Sequence, residues 1–287
     1  MNYLVCLLAI TLSLTIPVSN LFSGEPDKNL CEKGLYPTVK LTYPNSSDCD
    51  CEECRNSNAT GSGVVVAFSA LGVGAGISGK KDHYINVVLT AAHNVAAIKN
   101  DKVPLTIHVA KYKDFDELDS FDSFPAIVYE VNKQLDIAVV LFVSKEKLIV
   151  AKLGMDVKLH LGIPIIKFGY GLGDDIRFDE GKITSVKTSV PKTMAGKVRS
   201  NAHTIFGDSG GPVYDAEYNL IGITHAIRGG PSYILTVQSY FAPIRDIKTW
   251  SESSNNIIGF VYKEQQLPTF ALFRLGMRNY EIIGEKK

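Results

Sequence analysis

The sequence predicts an all-β protein with a single helix near its C-terminal end. Three observations carry that expectation. Short runs of β-type residues, bounded by glycine, proline or asparagine, recur between residues 38 and 238. No alternation of strand and helix patterns precedes residue 209, which speaks against an α/β arrangement. The one helical stripe is Ala242–Trp250, with Pro243 in its first turn and Ile244, Ile247 and Trp250 on one face.

Taken in order, the chain opens on an apolar run from Leu4 to Ile16, too short for a comfortable membrane span and followed by Pro17 and polar residues. It reads as a secretory signal over residues 1–23, although no Lys or Arg precedes the run; an uncleaved anchor is the alternative. Residues 24–60 hold the first strand, Thr38–Thr42, and a cysteine-rich loop. With Cys6 removed alongside the signal, Cys31, Cys49, Cys51 and Cys54 remain, an even count that predicts two disulfides in an exported chain. A bridge between Cys49 and Cys51 is geometrically poor. A four-thiolate zinc clip is the competing reading. Asn45-Ser46-Ser47 and Asn58-Ala59-Thr60 are acceptor tripeptides for glycosylation.

Val64–Ser69 reads as the second strand, and Gly72-Val73-Gly74-Ala75-Gly76 as a hairpin insertion, because no helix pattern follows those glycines to make a phosphate cradle. Ile85–Leu89 and Ile137–Val143 are strands. Between them, Lys111–Asp122 reads as a charged surface loop whose carboxylate spacing matches no recognised calcium loop. The second half offers Val157–Leu161, Ile165–Gly169, Ile183–Thr188, Lys197–Ser200, Leu220–His225 and Tyr233–Gln238 as strands. The extension 252–287 carries two further apolar runs, Ile257–Val261 and Phe270–Leu275, which suggest an extra hairpin without an evident role.

Thirty basic residues balance thirty acidic ones and are scattered among them, so no nucleic-acid or other polyanion partner is implied. Chemistry concentrates in three short stretches: Thr90-Ala91-Ala92-His93, Leu135-Asp136-Ile137-Ala138 and Gly207-Asp208-Ser209-Gly210-Gly211-Pro212. Together they supply a base, a carboxylate to orient it, and a nucleophile among glycines, which is what acyl transfer through a serine requires. The same glycine-flanked serine fits the nucleophile elbow of α/β-hydrolases. Chain order rejects that fit, because His225 is the sole histidine after Ser209 and only Asp215 lies between them.

On these motifs the chain resembles the trypsin-like, chymotrypsin-fold serine peptidases from about Gly61 to Trp250, and in particular Deg/HtrA-type and bacterial single-domain members. Gly61-Ser62-Gly63-Val64-Val65-Val66, Asp136-Ile137-Ala138-Val139-Val140 and Gly222-Ile223-Thr224-His225-Ala226-Ile227 resemble three of their strands. The resemblance implies two antiparallel six-stranded β-barrels and a C-terminal helix over residues 61–251. A further PDZ module is not expected at this length. It implies a serine endopeptidase with the triad His93, Asp136 and Ser209, and an oxyanion hole from the amides of Gly207 and Ser209. A catalytically silent binding protein of the same fold is the alternative. An imidazole base must start neutral, so activity is expected to rise with pH through about 6.5–7.

Asp208 needs a partner if buried. No basic residue followed by Ile-Val-Gly-Gly exists to provide a new N-terminus, and Arg177 is the candidate instead. By the same resemblance His203 floors the specificity pocket beside Thr204, with Ala226 and Ile227 on one wall and Ser232 opposite. The absence of an acidic floor disfavours Lys or Arg and suits small or medium apolar residues. His225 lies one position beyond the histidine of glutamate-specific relatives, so strand alternation turns it to the other face. Polypeptide substrates, no cofactor, no catalytic metal and a secreted or extracytoplasmic location complete the expectation; membrane contact is expected only through an uncleaved N-terminal anchor.

Overall fold

The computed structural model describes residues 28–44, 58–70, 83–96, 98, 104–173, 175–189, 196–228 and 238–254. Six strands build the first barrel: β1 (Thr38–Pro44), β2 (Asn58–Ala70), β3 (Tyr84–Ala91), β4 (Leu105–Tyr112), β5 (Leu118–Asn132) and β6 (Ile137–Ser144). They pair antiparallel in the order β1-β2-β3-β6-β5-β4, and contact between β4 and β1 closes the ring. A short β7 (Lys152–Leu153) leads to the second barrel, which uses β8 (Pro164–Gly169), β9 (Arg177–Ser185), β10 (Val198–Ser200), β11 (Pro212–Tyr214), β12 (Asn219–Arg228) and β13 (Gln238–Pro243). Here β11 pairs with both β8 and β12, which closes that ring. Strand β7 adds parallel to β12, and helix α1 (Ile244–Ser254) follows β13.

The apolar runs of β3 and β6 are continuous because both faces of these strands are buried. Val88 on β3 and Ala138, Val140 and Phe142 on β6 fill the interior of the first barrel with Leu41, Val65 and Ile107. The alternate residues Ile85, Val87, Leu89, Ile137, Val139 and Leu141 face outward into a second core shared with Phe168, Tyr214, Leu220 and Ile223 of the other barrel. Ile165, Ile183, Val198, Val213, Ile221 and Phe241 fill the second barrel. Ile244 and Ile247 of α1 are buried in the shared core, and Trp250 packs on it.

Several sequence expectations change. Lys111–Asp122 is the tip of the β4–β5 hairpin: Val109 pairs with Asp122 and Lys111 with Ser120, while the charged side chains point to water and Lys111 meets Asp122 at 2.8 Å. Val157–Leu161 forms no strand; Val157 and Leu159 pack against the second barrel without pairing, and β7 lies earlier. The strand expected at Ile183–Thr188 starts instead at Arg177, because Arg177 through Lys182 pair with Gly169 through Pro164 of β8. Ala242 and Pro243 complete β13 opposite Ile223 and Gly222, so the helix starts after them.

No disulfide occurs among the described residues. The expectation of two bridges is corrected at Cys31, which is 2% exposed and packs as a small apolar side chain in the shared core with Leu35. Cys49, Cys51 and Cys54, the signal-like residues 1–23, the glycine-rich stretch 72–76 and the extension from 255 onward lie outside the described residues. Among the described residues no helix is long and apolar enough to cross a membrane.

Candidate active site

His93, Asp136 and Ser209 come from three connections that meet where the barrels face each other. His93 sits in a single 3-10 turn, Ala92–Val95, directly after β3. Asp136 occupies the turn between β5 and β6 with a left-handed φ of 54°. That conformation costs a non-glycine residue about 1 kcal/mol or more and persists only where surrounding bonds impose it. Those bonds are present: the His93 backbone N–H donates to Asp136 Oδ1 at 2.9 Å, and the N–H of Ala92 donates to the Asp136 carbonyl at 3.1 Å.

The Asp136 side chain accepts two imidazole protons. His93 Nδ1 lies 2.8 Å from Oδ2, and His225 Nδ1 bonds the same oxygen. Burial by itself raises the Asp136 pKa, but the bonds from His225 and His93 outweigh it and hold the carboxyl well below the usual carboxylate range. An ionised carboxylate only accepts. Both rings must therefore carry a proton on Nδ1, which in the neutral form of His93 would leave Nε2 as the lone-pair acceptor. Lys197, buried beside this turn, donates to the Leu135 carbonyl; burial lowers its pKa and the Asp136 charge partly opposes that.

A depressed carboxyl pKa stabilises the fold above the unfolded value, about 3.9, and that contribution disappears as pH falls through the folded value. The thermal midpoints of the native chain and of Asp136→Asn should therefore differ most near neutral pH and converge below about pH 4. A gap that stays constant down to pH 2 would contradict the assigned ionisation.

His225 stands two residues after Ile223 of the shared core and points, as alternation expects, toward the first barrel. The pairing of β12 with β13 runs Thr224 to Phe241 and then Ala226 to Tyr240, so His225 is the extra residue of a β-bulge. The ring reaches Asp136 and stands edge-on to His93, with centroids 6.0 Å apart.

The nucleophile loop depends on two glycines. Gly207 has φ 100°, and a Cβ there would lie 2.3 Å from the Tyr170 carbonyl oxygen; Gly210 has φ 88°, and a Cβ would lie 2.1 Å from the Ser62 carbonyl oxygen. The Phe206 carbonyl accepts from Leu172 N–H at 2.6 Å, and the Asp208 carbonyl accepts from Gly211 N–H at 2.9 Å. In a trans peptide the N–H points opposite to its C=O. The amides of Gly207 and Ser209 are thus aimed by anchored carbonyls, and neither has a hydrogen-bond partner among the described residues. If the Gly207 amide serves the oxyanion as the resemblance implies, Gly207→Ala should lower turnover by about 10² to 10³-fold, the usual cost of one such donor, through displacement of this peptide. Steady-state kinetics on a folded variant checks this.

Ser209 Oγ donates to the His225 carbonyl at 3.3 Å and shares no hydrogen bond with His93, although both line one cleft. Its own carbonyl is held by Ser62 N–H and Asn94 Nδ2, each at 2.8 Å. Such unclosed geometry is common before substrate binds.

Asp208 is 4% exposed and accepts from Ile205 N–H at 2.9 Å. Burial raises its pKa, opposed by that bond and by Lys167 and Arg177. Arg177, the expected counter-ion, pairs with Asp208 at 3.9 Å. Lys167, which the sequence reading missed, is 3% exposed, and burial pulls its pKa down to about 8 against the attraction of Asp208 and Asp179. A lysine inside the apolar strand Pro164–Gly169 was the available signal.

The cleft measures about 790 Å³ and is walled by Tyr43, Thr60, Leu172, Ile205, Phe206 and His225 around His93 and Ser209. His203 turns its ring to Arg177 Nη2 at 3.0 Å, Thr204 is buried, and neither lines this cleft. Ala226 and Ile227 lie on β12, their side chains outside the described set, as is Ser232. Among the described residues, His93, Asp136 and His225 form the group able to hold a metal ion, with ligand atoms within 4.8 Å of one another; here those atoms satisfy each other as hydrogen bonds.

Comparison with known proteins agrees with this fold. The sequence pattern described as "Trypsin-like peptidase domain" matches residues 61–223. Among solved structures, the HtrA-type protease AlgW, determined with a tripeptide, aligns with a TM-score of 0.57 at 21% identity, covering 78% of this chain and 62% of AlgW. Deg5 aligns with a TM-score of 0.53 at 19% identity, covering 77% of this chain and 90% of Deg5. No curated protein matches the sequence.

Proposed function

Since the chain belongs to the trypsin-like peptidase domain family, we propose that it is a serine endopeptidase whose triad is His93, Asp136 and Ser209. The observation that carries the reading is one cleft holding both the Nδ1-paired His93 and Ser209, beside a Gly207 amide aimed by its neighbours. Ser209 Oγ attacks the scissile carbonyl and passes its proton to His93 Nε2, while Asp136 stabilises the imidazolium that results. The amides of Gly207 and Ser209 receive the oxyanion. The imidazolium then protonates the leaving amine, and water resolves the acyl-enzyme by the same route in reverse.

Polypeptides are the substrate class, and small or medium apolar residues are preferred to Lys or Arg. In support, the described cleft walls include Leu172, Ile205 and Phe206 and no carboxylate to meet a cation. The domain expected over 61–251 also takes in β1 (Thr38–Pro44) from the segment 24–60, since that strand closes the first barrel; it follows the signal-like 1–23 and precedes the extension 252–287. The signal-like segment supports a secreted or extracytoplasmic enzyme.

A fluorophosphonate probe tests the assignment. Mass spectrometry should find the adduct on Ser209, and its formation should need native protein. A folded chain that leaves the probe unreacted would make it a silent binding protein instead.

A further inference from the structure

Two imidazoles and one carboxylate converge beside the cleft. His93 Nδ1 stands 2.8 Å from Asp136 Oδ2, His225 Nδ1 bonds the same oxygen, and the ligand atoms of the three residues lie within 4.8 Å of one another. Acyl transfer through Ser209 uses a single imidazole as base. The second completes a different set: two imidazole nitrogens with a carboxylate oxygen are the protein ligands of zinc sites that keep a fourth position open. An ion has a way in, because the His93 side chain is 46% exposed and the cleft of about 790 Å³ is lined by His93, His225 and Ser209. Lys197 is engaged by the Leu135 carbonyl and leaves the Asp136 oxygens to the histidines.

We propose that His93, Asp136 and His225 form a Zn²⁺ site, and that zinc bound there switches the peptidase off. Bonds of about 2.0–2.2 Å in a tetrahedron set neighbouring ligand atoms about 3.3 Å apart, so His93 and Asp136 separate by about half an ångström from their hydrogen-bond contact to admit the ion. His93 sits on a single 3-10 turn at the rim of the cleft, where its ring has room for that movement. Without the metal each ring holds a proton on Nδ1. Zinc takes the Nδ1 lone pair, and the proton of each neutral ring passes through water to Nε2, so no proton is gained or lost. His93 Nε2 then donates where it had accepted, and Asp136 Oδ2 is bound to the ion. Ser209 is left without a base. The same donors set the selectivity: imidazole suits zinc, whereas calcium and magnesium require shells of oxygen that one carboxylate does not supply.

Zinc binding stands on these three residues alone, and the inhibition rests on the peptidase reading. The test adds zinc to the full native chain. Cys49, Cys51 and Cys54 are thiols that also take zinc, so the readout is made at the imidazoles. Long-range nitrogen–proton NMR should show Nδ1 of His93 and His225 becoming metal-bound with their protons on Nε2, while His108, His160 and His203 stay unchanged. Zinc should also abolish peptide hydrolysis and slow fluorophosphonate labelling of Ser209, a chelator should restore both, and calcium or magnesium should do neither. His225→Gln keeps an amide donor for Asp136 but offers the ion no imidazole. Measured against that variant's own zinc-free rate, the zinc concentration for half inhibition should rise by about tenfold or more. Where His225→Gln fails to fold or turn over, the imidazole resonances of the native chain decide alone. Unmoved His93 and His225 resonances, equal zinc sensitivity in the variant, or equal inhibition by calcium each overturns the site, and zinc seated on these rings in a chain that stays active overturns the switch. A chain that takes zinc at both rings yet never reacts with the fluorophosphonate keeps the metal site and loses the peptidase reading. A reactive chain whose imidazoles ignore zinc loses the metal site alone.

Discussion

On the proposed mechanism, in which Ser209 forms the acyl intermediate, Ser209→Ala is expected to lower turnover by about 10⁴ to 10⁶-fold. The fold should be almost untouched. The Ser209 hydroxyl makes one long bond, 3.3 Å to the His225 carbonyl, and the loop is held through backbone atoms by Ser62 and Asn94. Losing a bond of that kind costs about 1 kcal/mol or less. The pairing of a collapsed rate with a preserved thermal midpoint is the diagnostic result. Peptidase activity within about tenfold of the native chain would show that the serine is not the nucleophile, since the residual rate of a triad lacking it lies far lower.

Asp136→Asn is expected to lower turnover by about 10⁴-fold, the loss that follows when the acid of such a triad becomes an amide. The contacts around Asp136 explain why. The carboxylate accepts from the His93 backbone on one oxygen and from two imidazoles on the other. An amide has one accepting oxygen and one donating nitrogen. If the oxygen faces the rings, the His93 N–H meets a donor; if it faces the backbone, both imidazoles do. In the second orientation His93 moves its proton to Nε2, where it can no longer take one from Ser209. The replacement also removes the charge that stabilises the imidazolium. Kinetics near neutral pH, alongside probe labelling of Ser209, would measure this; turnover within about tenfold of native would remove Asp136 from the mechanism.

Much of the architecture was legible because buried barrel strands write themselves as short apolar runs between turn residues. Ile85–Leu89, Ile137–Val143 and Ile165–Gly169 all lie inside observed strands. The β4–β5 hairpin was hidden for the opposite reason. Its outer residues alternate with charge on an exposed face, so Lys111–Asp122 looks like a loop although its backbone is paired. The helix start slipped because Pro243 serves equally well as the last residue of an edge pairing and as a first helical residue.

The site divides in the same way. Residue types and chain order around His93, Asp136, Gly207 and Ser209 are local properties, and they suffice to nominate the base, acid, amide and nucleophile. Partners are not local. Arg177 was nominated as the counter-ion for Asp208 and reaches it at 3.9 Å, but its guanidinium also bonds Asp179 and His203, while the buried Lys167 on a neighbouring strand adds to the positive field around the carboxylate.

By itself, then, the sequence determined the all-β class, the two-part chain with its C-terminal helix, and the residues able to perform acyl transfer, since periodicity and reactive groups are carried in short stretches. Only the tertiary structure decided that His225 bonds Asp136, that the Gly207 amide is aimed by Leu172, and that a buried Lys167 joins Arg177 in lowering the pKa of Asp208. The reason is physical: which side chains and charges meet after burial depends on how two barrels pack rather than on how far apart their residues lie along the chain.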